Sequence, residues 1–385
     1  MMNILIISHG IPSKEDPQWG CFELDQARAL TALGHKVCMA AVDGRFRRWA
    51  RRIGFKHIDF GGIDACSLYL FPLKILRSFR LRSWIMDRMM LSLFHHMVKR
   101  HGLPDVIYAH FFFTMSQLEY VKRRYPGIPI VGVEHAARII NKSVFSRGET
   151  FHFQRAYKHI DRVLSVSPAL QSALNTKLGV HSDVLYDMVG EEFLNGAILP
   201  KGHTPFRFVT TGSLEERKAI DLIVRAMAKI DDPGSELFII GDGPERDKIS
   251  GLADSLGLSK RIHLLGMCNK QQMIEMYQKC DAFVLVSRAE TFCVVNIEAM
   301  AMGLPVISTR CGGPEYYIDG TNGILLDVDD FEGLVGAMNE IERNIDTYKP
   351  EDLREYVRAH YSGEVIARQA EGILQTAVKQ KKNQK

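Results

Sequence analysis

The fold is decided by Asp281–Gly313, DAFVLVSRAETFCVVNIEAMAMGLPVISTRCGG. It opens on an apolar, β-branched run that ends near Ser287 and crosses a short polar loop. A longer apolar segment of helical character then begins near Phe292–Cys293, and a second β-branched run, Pro305–Thr309, follows a Gly-Leu-Pro turn. Strand, helix and strand in that order form the repeating unit of a parallel sheet. Within this apolar sequence sit two carboxylates: Glu290 in the loop, and Glu298 about two turns into the helix. An ionised acid in apolar surroundings is costly unless something pairs with it. Free N–H groups at the helix start would hold a phosphate, with one acid to either side of it. The bland alternative is one acid complementing the helix dipole and one chance surface glutamate.

Working outward, the same alternation covers the chain. The first half has runs at Asn3–Ser8, Lys36–Val42, Asp105–His110, Ile128–Glu134, Arg162–Val166 and Asp183–Val189. The second has Phe206–Thr211, Glu236–Gly241, Arg261–Leu265, Ala282–Ser287, Pro305–Thr309 and Gly323–Asp327. Segments such as Glu23–Leu33 and Ile220–Ile230 lie between them, with apolar positions three and four apart. The pattern predicts an α/β protein of two Rossmann-like, doubly wound parallel sheets facing each other across a cleft. Ligands of such sheets bind outside the carboxyl ends of the strands. Residues 1–190 form the first domain, the turn-rich stretch 191–205 a linker, and 206–362 the second domain. A last helix near 363–380 joins the first.

Composition removes several classes. Apolar residues are 46% of 385, enough for real cores, yet no run of about 20 is apolar enough for a membrane span. The start MMNILIISHG runs straight into a strand pattern, which argues against a signal peptide. Seven cysteines without CxxC or Cys/His spacing read as reduced thiols of a cytoplasmic protein. No GxGxxG follows the first strand, and GDGPER at Gly241 has no third glycine, so a nicotinamide dinucleotide is disfavoured.

The run E-x7-E-A-M-A-x-G-L-P-V-I-S-T-x-x-G-G-x-E, Glu290 through Glu315, resembles the signature of the retaining glycosyltransferases of family four, the "group one" transferases of GT-B fold. The resemblance covers most of the chain and is strongest from Thr210 to Asp327. It implies that Glu290 contacts the transferred sugar and Glu298 the ribose. The backbone of Phe292, Cys293 and Val294 would meet the diphosphate, and that near Met267 would read the base. In GSLEERKAIDLIVRA, Lys218 carries over as a diphosphate-gripping cation. The family's usual arginine is Ser213 here, which makes Arg217 the substitute, and Ala219 stands at a customary glycine. Cations at a helix start oppose its dipole, which favours an anion partner over a merely solvated start. Gly20 matches the glycine where backbone approaches donor or acceptor. His135, in GVEHAAR, matches the histidine near the reacting sugar, with a strand-end histidine satisfied by backbone as the plain alternative. His110 fits a structural or acceptor-side position. Asp187 departs from the family's asparagine and receives no role.

No Ser/His/Asp or Cys/His set is visible, and the single DxD, Asp327–Asp329, reads as a helix N-cap cluster rather than a metal site. The resemblance implies transfer of a sugar from a nucleotide-sugar donor with retention; with no metal site visible in the sequence, that transfer is expected to be metal-independent and cofactor-free. The acceptor is expected to be a glycan or lipid-linked hydroxyl of bacterial surface polysaccharide or glycolipid. Residues 45–100 hold thirteen Lys/Arg against three acids. The basic segments 45–52 and 74–100 fit either a core helix with a charged outer face or attachment to the anionic inner face of the cell membrane. No nucleic-acid-binding motif accompanies the charge. The rival readings are a GT-B sugar-nucleotide epimerase or phosphorylase, and a non-catalytic membrane-associated binding protein.

Overall fold

Among the residues described by a computed structural model, 1–14, 16, 18–45, 52–71, 73 and 78–383, fourteen strands assemble into two sheets. The chain divides into two compact units, Met1–Tyr186 with Gly363–Lys385, and Asp187–Ser362. The division lies at Tyr186–Asp187. The stretch 191–205 lies inside the second unit, where Phe193 and Leu194 are buried on a short helix, Glu191–Leu194.

The first unit carries strands β1 (Asn3–Ile7), β2 (Lys36–Asp43), β3 (Gly54–Asp59), β4 (Asp64–Tyr69), β5 (Val106–His110), β6 (Ile130–Glu134), β7 (Arg162–Ser165) and β8 (Asp183–Val184). Their order is β3-β4-β2-β1-β5-β6-β7-β8, parallel except for the β3–β4 pair. Order reverses between β1 and β5, so the chain leaving β1 lies beside the chains leaving β5 and β6.

The expectation of six strands here was short by the β3–β4 hairpin. β3 is an edge strand with most of its side chains in water, so it lacks the apolar signal of its neighbours. Its turn is marked by Gly61 and Gly62, both at positive φ, with Gly62 N–H donating to Asp59. The last expected run, Asp183–Val189, forms only the two residues of β8.

The second unit matches its six expected runs: β9 (Arg207–Thr211), β10 (Glu236–Ile240), β11 (Ile262–Gly266), β12 (Ala282–Leu285), β13 (Val306–Thr309) and β14 (Gly323–Leu326). Their order is β11-β10-β9-β12-β13-β14, all parallel, with reversal between β9 and β12. The loops leaving β9 and β12, which hold Lys218 and Glu290, are thereby neighbours.

The helix Gly363–Asn383 belongs to the first unit, where Ile366, Ala370, Leu374 and Ala377 form its buried stripe. On the helix Phe79–His101, Met90, Leu93, Phe94 and Met97 are buried, while Met86 and Met89 are half-buried. The methionine-rich stripe is therefore a core face, and Leu81 and Trp84 lie on the exposed side. Arg45 is tied inward, to Asp43 at 2.8 Å and Asp16 at 2.9 Å, with its guanidinium over the Trp19 ring. Much of the remaining basic island, 46–51 and 74–77, lies outside the described residues. No helix among the described residues is long and apolar enough to cross a membrane.

Candidate active site

At the switch point of the second sheet three charged side chains converge. Lys218 Nζ donates to Glu290 Oε1 at 2.7 Å, and Arg217 Nη1 reaches the same oxygen at 3.2 Å. Arg217 also donates to Ala289 O at 2.8 Å, and Arg288 N–H donates to Arg217 O at 2.8 Å, so the two loops are stitched together by backbone. Lys218 and Glu290 are both buried. Burial alone would raise the Glu290 carboxyl, but Lys218 and Arg217 outweigh it and hold the group below its ordinary range. Arg217 also lies 3.7 Å from the half-exposed Glu215, so Lys218 is the cation held by the buried Glu290 while Arg217 is shared between the two carboxylates.

Glycines let these loops approach. A side chain on Gly241 would lie 1.8 Å from Gly212 O, and one on Gly313 would lie 2.7 Å from the Phe292 backbone. The customary glycine replaced by Ala219 matters because Ala219 takes φ 50°, ψ 37°, the left-handed region, directly after Lys218. An alanine there pays about 1–2 kcal/mol that a glycine does not. Ala219→Gly should therefore stabilise the unit by about 0.5–1 kcal/mol once the greater unfolded-state entropy of glycine is deducted. A rise in the melting temperature of the apo protein checks this.

The expected helix start needs correction. Cys293 has φ 74° and cannot be helical, so the helix runs Val294–Ala301. Glu298 is its fifth residue, just over one turn in rather than two, and it is buried. The helix start is fixed from outside: Tyr317 hydroxyl donates to Phe292 O at 2.9 Å, while Asn296 Nδ2 donates to that hydroxyl at 3.1 Å. Burial pushes the Cys293 thiol well up, so it is no nucleophile at neutral pH. Met267 follows β11 and is exposed at 60%.

The acids of the DxD are engaged. Asp329 pairs with Arg288 and Asp327 with Arg310, while the cap of the helix Phe331–Arg343 is Asp330, which accepts from Gly333 N–H at 2.9 Å. The N-cap thus falls one residue after the expected pair. Asp187, given no role, is buried at the start of the second unit.

Gly20 and His135 belong to the first unit. Gly20, at φ 87°, precedes the helix Cys21–Ala32, and a side chain on it would lie 2.1 Å from Gly10 O. His135 follows β6, its Nε2 3.1 Å from His110 Nδ1. Its backbone is clamped by the buried Glu134, which accepts from the N–H groups of His135, Ala136 and Phe112 and from Tyr157 hydroxyl.

Sequence reading missed Phe111, a ring neighbour of this histidine, and the His9–Glu23 pair that Phe111 joins to it. His9, just after β1, contacts Trp19 at 4.4 Å and Phe111 at 4.7 Å between ring centroids, and Phe111 contacts His135 at 4.7 Å. His9 Nδ1 lies 2.5 Å from Oε1 of Glu23, a carboxylate buried on the first helix. Burial works against that charge, yet His9 more than compensates and holds Glu23 well below the usual carboxylate range. Phe111 takes φ 66°, strained for a bulky residue. The available signal was positional: a histidine ending the first strand, beside the switch point.

Residues 194–360 match the family model described as Glycosyl transferases group 1, and residues 24–187 match that described as Glycosyltransferase Family 4. The lipopolysaccharide core biosynthesis glycosyltransferase LpsE of Rhizobium meliloti is 34% identical over 41% of this chain, and the chain spans only 46% of that relative. An uncharacterized glycosyltransferase of Methanocaldococcus jannaschii is 28% identical over 70% of this chain and 73% of its own. Among solved structures, sucrose-phosphate synthase from Thermosynechococcus elongatus superposes with a TM-score of 0.78, at 19% identity over 98% of this chain and 99% of that one. HepE of Anabaena, solved in complex with UDP and glucose, gives 0.72 at 17% identity over 98% and 100%. At these identities the likeness of structure establishes the GT-B fold.

Proposed function

Taking as premise that this chain belongs to the group 1 glycosyl transferases of GT-B fold, we propose that it transfers a sugar from a nucleoside-diphosphate donor to a hydroxyl of a glycan or lipid-linked acceptor, with retention and without a metal. One observation carries the reading: Lys218 and Arg217 share the single buried carboxylate of Glu290 beside the start of the helix Val294–Ala301. Two cations beside a helix start suit a diphosphate. The pairing of Asp327 and Asp329 with arginines supports the metal-free form of the reading.

In this reading the β-phosphate oxygens take the charge released when the anomeric C–O bond breaks, and Lys218 and Arg217 stabilise it. The acceptor oxygen enters on the leaving-group face, and its proton passes to the departing phosphate. Glu290, turned toward the cations, would meet the sugar hydroxyls. Glu298 would hold the ribose, and His135, with Gly20 supplied by the same unit, would face the reacting sugar. The LpsE name favours a surface glycolipid or polysaccharide as acceptor. Attachment to an anionic membrane remains part of the proposal only through the exposed Leu81 and Trp84 beside the basic helix.

The test is a thermal-shift panel of UDP, GDP, ADP, CMP and NAD, each with and without EDTA. One nucleoside diphosphate should raise the melting temperature in both conditions by mass action. UDP is the first choice because UDP is bound in HepE. Glu298→Ala should weaken that nucleotide by about tenfold or more, the loss of a hydrogen bond to a charged group. A response to NAD alone, or to nothing, would overturn the donor site. Conversion of the nucleotide sugar without any acceptor would favour the epimerase.

A further inference from the structure

Away from both switch points, the β3–β4 hairpin and the helix Phe79–His101 bring together His57, Cys66 and His96, whose candidate ligand atoms all lie within 4.8 Å of one another. His57 and Cys66 are direct cross-strand partners in the antiparallel pair, so their side chains stand on one face of the sheet. His96 meets them from the helix, its Nε2 2.8 Å from His57 Nε2. The Phe55 ring stacks on His96 at 4.0 Å and fixes its plane.

The surroundings are built as a metal site is built. His57 Nδ1 lies 2.7 Å from Asp64 Oδ1, which sets the tautomer with the proton on Nδ1 and leaves the Nε2 lone pair aimed at the cluster. That carboxylate is itself held by Arg100 at 3.1 Å and His101 at 2.7 Å. A carboxylate orienting a ligating imidazole from its far nitrogen is the recurring outer shell of histidine–zinc sites.

We propose that His57, Cys66 and His96 bind a divalent cation of borderline softness, zinc above all, through two imidazoles and one thiolate. Zinc bonds of about 2.0–2.1 Å to nitrogen and 2.3 Å to sulfur set tetrahedral ligands about 3.3–3.7 Å apart. The two Nε2 atoms, 2.8 Å apart, would open and the thiol, within 4.8 Å of them, would close to reach that spacing. Binding replaces the proton shared by the two Nε2 atoms and displaces the Cys66 thiol proton, so protons leave to solvent and the thiolate bonds to the metal. The His57 side chain is 27% exposed, so solvent reaches the cluster and a water would complete the fourth position. The ion ties an edge hairpin, otherwise held to the sheet through β4 alone, to the helix that covers it.

The full chain, stripped with chelator and dialysed, is titrated with Co²⁺ alone as the probe. One equivalent should bind with a thiolate-to-cobalt charge-transfer band, and Zn²⁺ should displace it, being the tighter binder in the Irving–Williams order. Cys66→Ser should abolish the band. Asp64→Asn should keep the band but weaken binding about 10–100-fold, as outer-shell changes do. Should Cys66→Ser fail to fold, the half-buried His96→Gln carries the test and should weaken binding at least as much. A wild-type protein without the band, or a band unchanged in Cys66→Ser and His96→Gln, would reduce the cluster to a histidine pair over a buried thiol.

Discussion

Lys218→Met should slow sugar transfer by about 10²–10³-fold, the loss that follows removal of one preorganised donor to a developing negative charge. The same change leaves the buried Glu290 carboxylate with Arg217 at 3.2 Å as its remaining cation. Breaking a buried pair outright costs about 3–5 kcal/mol, and Arg217 should limit the loss here to about 2 kcal/mol. Slow transfer and lost stability must be separated, and the double variant Lys218→Met/Glu290→Gln does so. With both charges gone it should recover most of the urea midpoint and still turn over slowly. The pH dependence adds a check. Glu290 is depressed in the folded state, so its ionisation contributes stability above the unfolded carboxylate range, and that contribution is lost as pH falls through the folded value. The double variant should lack this part of the acid sensitivity. Wild-type single-turnover rates in Lys218→Met would remove the cation from the chemistry.

What the sequence made legible was whatever repeats with a period or carries a fixed spacing. The strands β9, β12 and β13 are buried nearly throughout and appear as plain apolar runs, while β10, β11 and β14 keep apolar runs although partly exposed, so all six were readable. The run from Glu290 to Gly313 fixes a loop, a helix and two close backbone approaches, and its spacing survives in any sequence that makes them. The hairpin β3–β4 was lost because the edge strand β3 has no buried position and so no apolar alternation to read, its buried partner DACSLY is poor in large apolar residues, and a surrounding excess of arginine drew attention to charge instead. His9 and Glu23 were lost for another reason. Their pairing joins a strand end to a helix fourteen residues on, and neither residue type is unusual where it stands. The cluster of His57, Cys66 and His96 draws on an edge strand, its neighbour and a distant helix, so no ligand spacing exists to be found along the chain. The helix start shifted because the left-handed backbone at Cys293 is imposed by tertiary contacts, among them the Tyr317 hydroxyl on Phe292 O, and no local propensity announces it.

The second large effect is acid sensitivity of the first unit through His110. Its side chain is fully buried at the end of β5, with Nδ1 facing His135, Nε2 without a hydrogen-bond partner, and the Tyr108 ring at 4.6 Å. Burial lowers its pKa to about 3, against attraction from Glu23 and with repulsion from His135 and His9. The sign follows from linkage. Between the unfolded value of about 6.5 and the folded value near 3, the unfolded chain binds a proton that the folded chain refuses. Stability from this residue is therefore complete above about pH 6.5 and falls by about 1.4 kcal/mol for each unit below it. His110→Asn keeps a polar atom toward His135 but cannot titrate. It should cost stability at pH 7.5, yet the gap between wild type and variant should narrow by about 3 kcal/mol by pH 4.3. Paired urea titrations across that range read the gap directly, and titrating groups not coupled to His110, such as the half-buried His152, are common to both proteins and cancel. A gap that stays constant with pH would mean that His110 takes up its proton in the folded state, and that the histidine pair beside Phe111 accommodates a charge the surrounding core gives no means to hold.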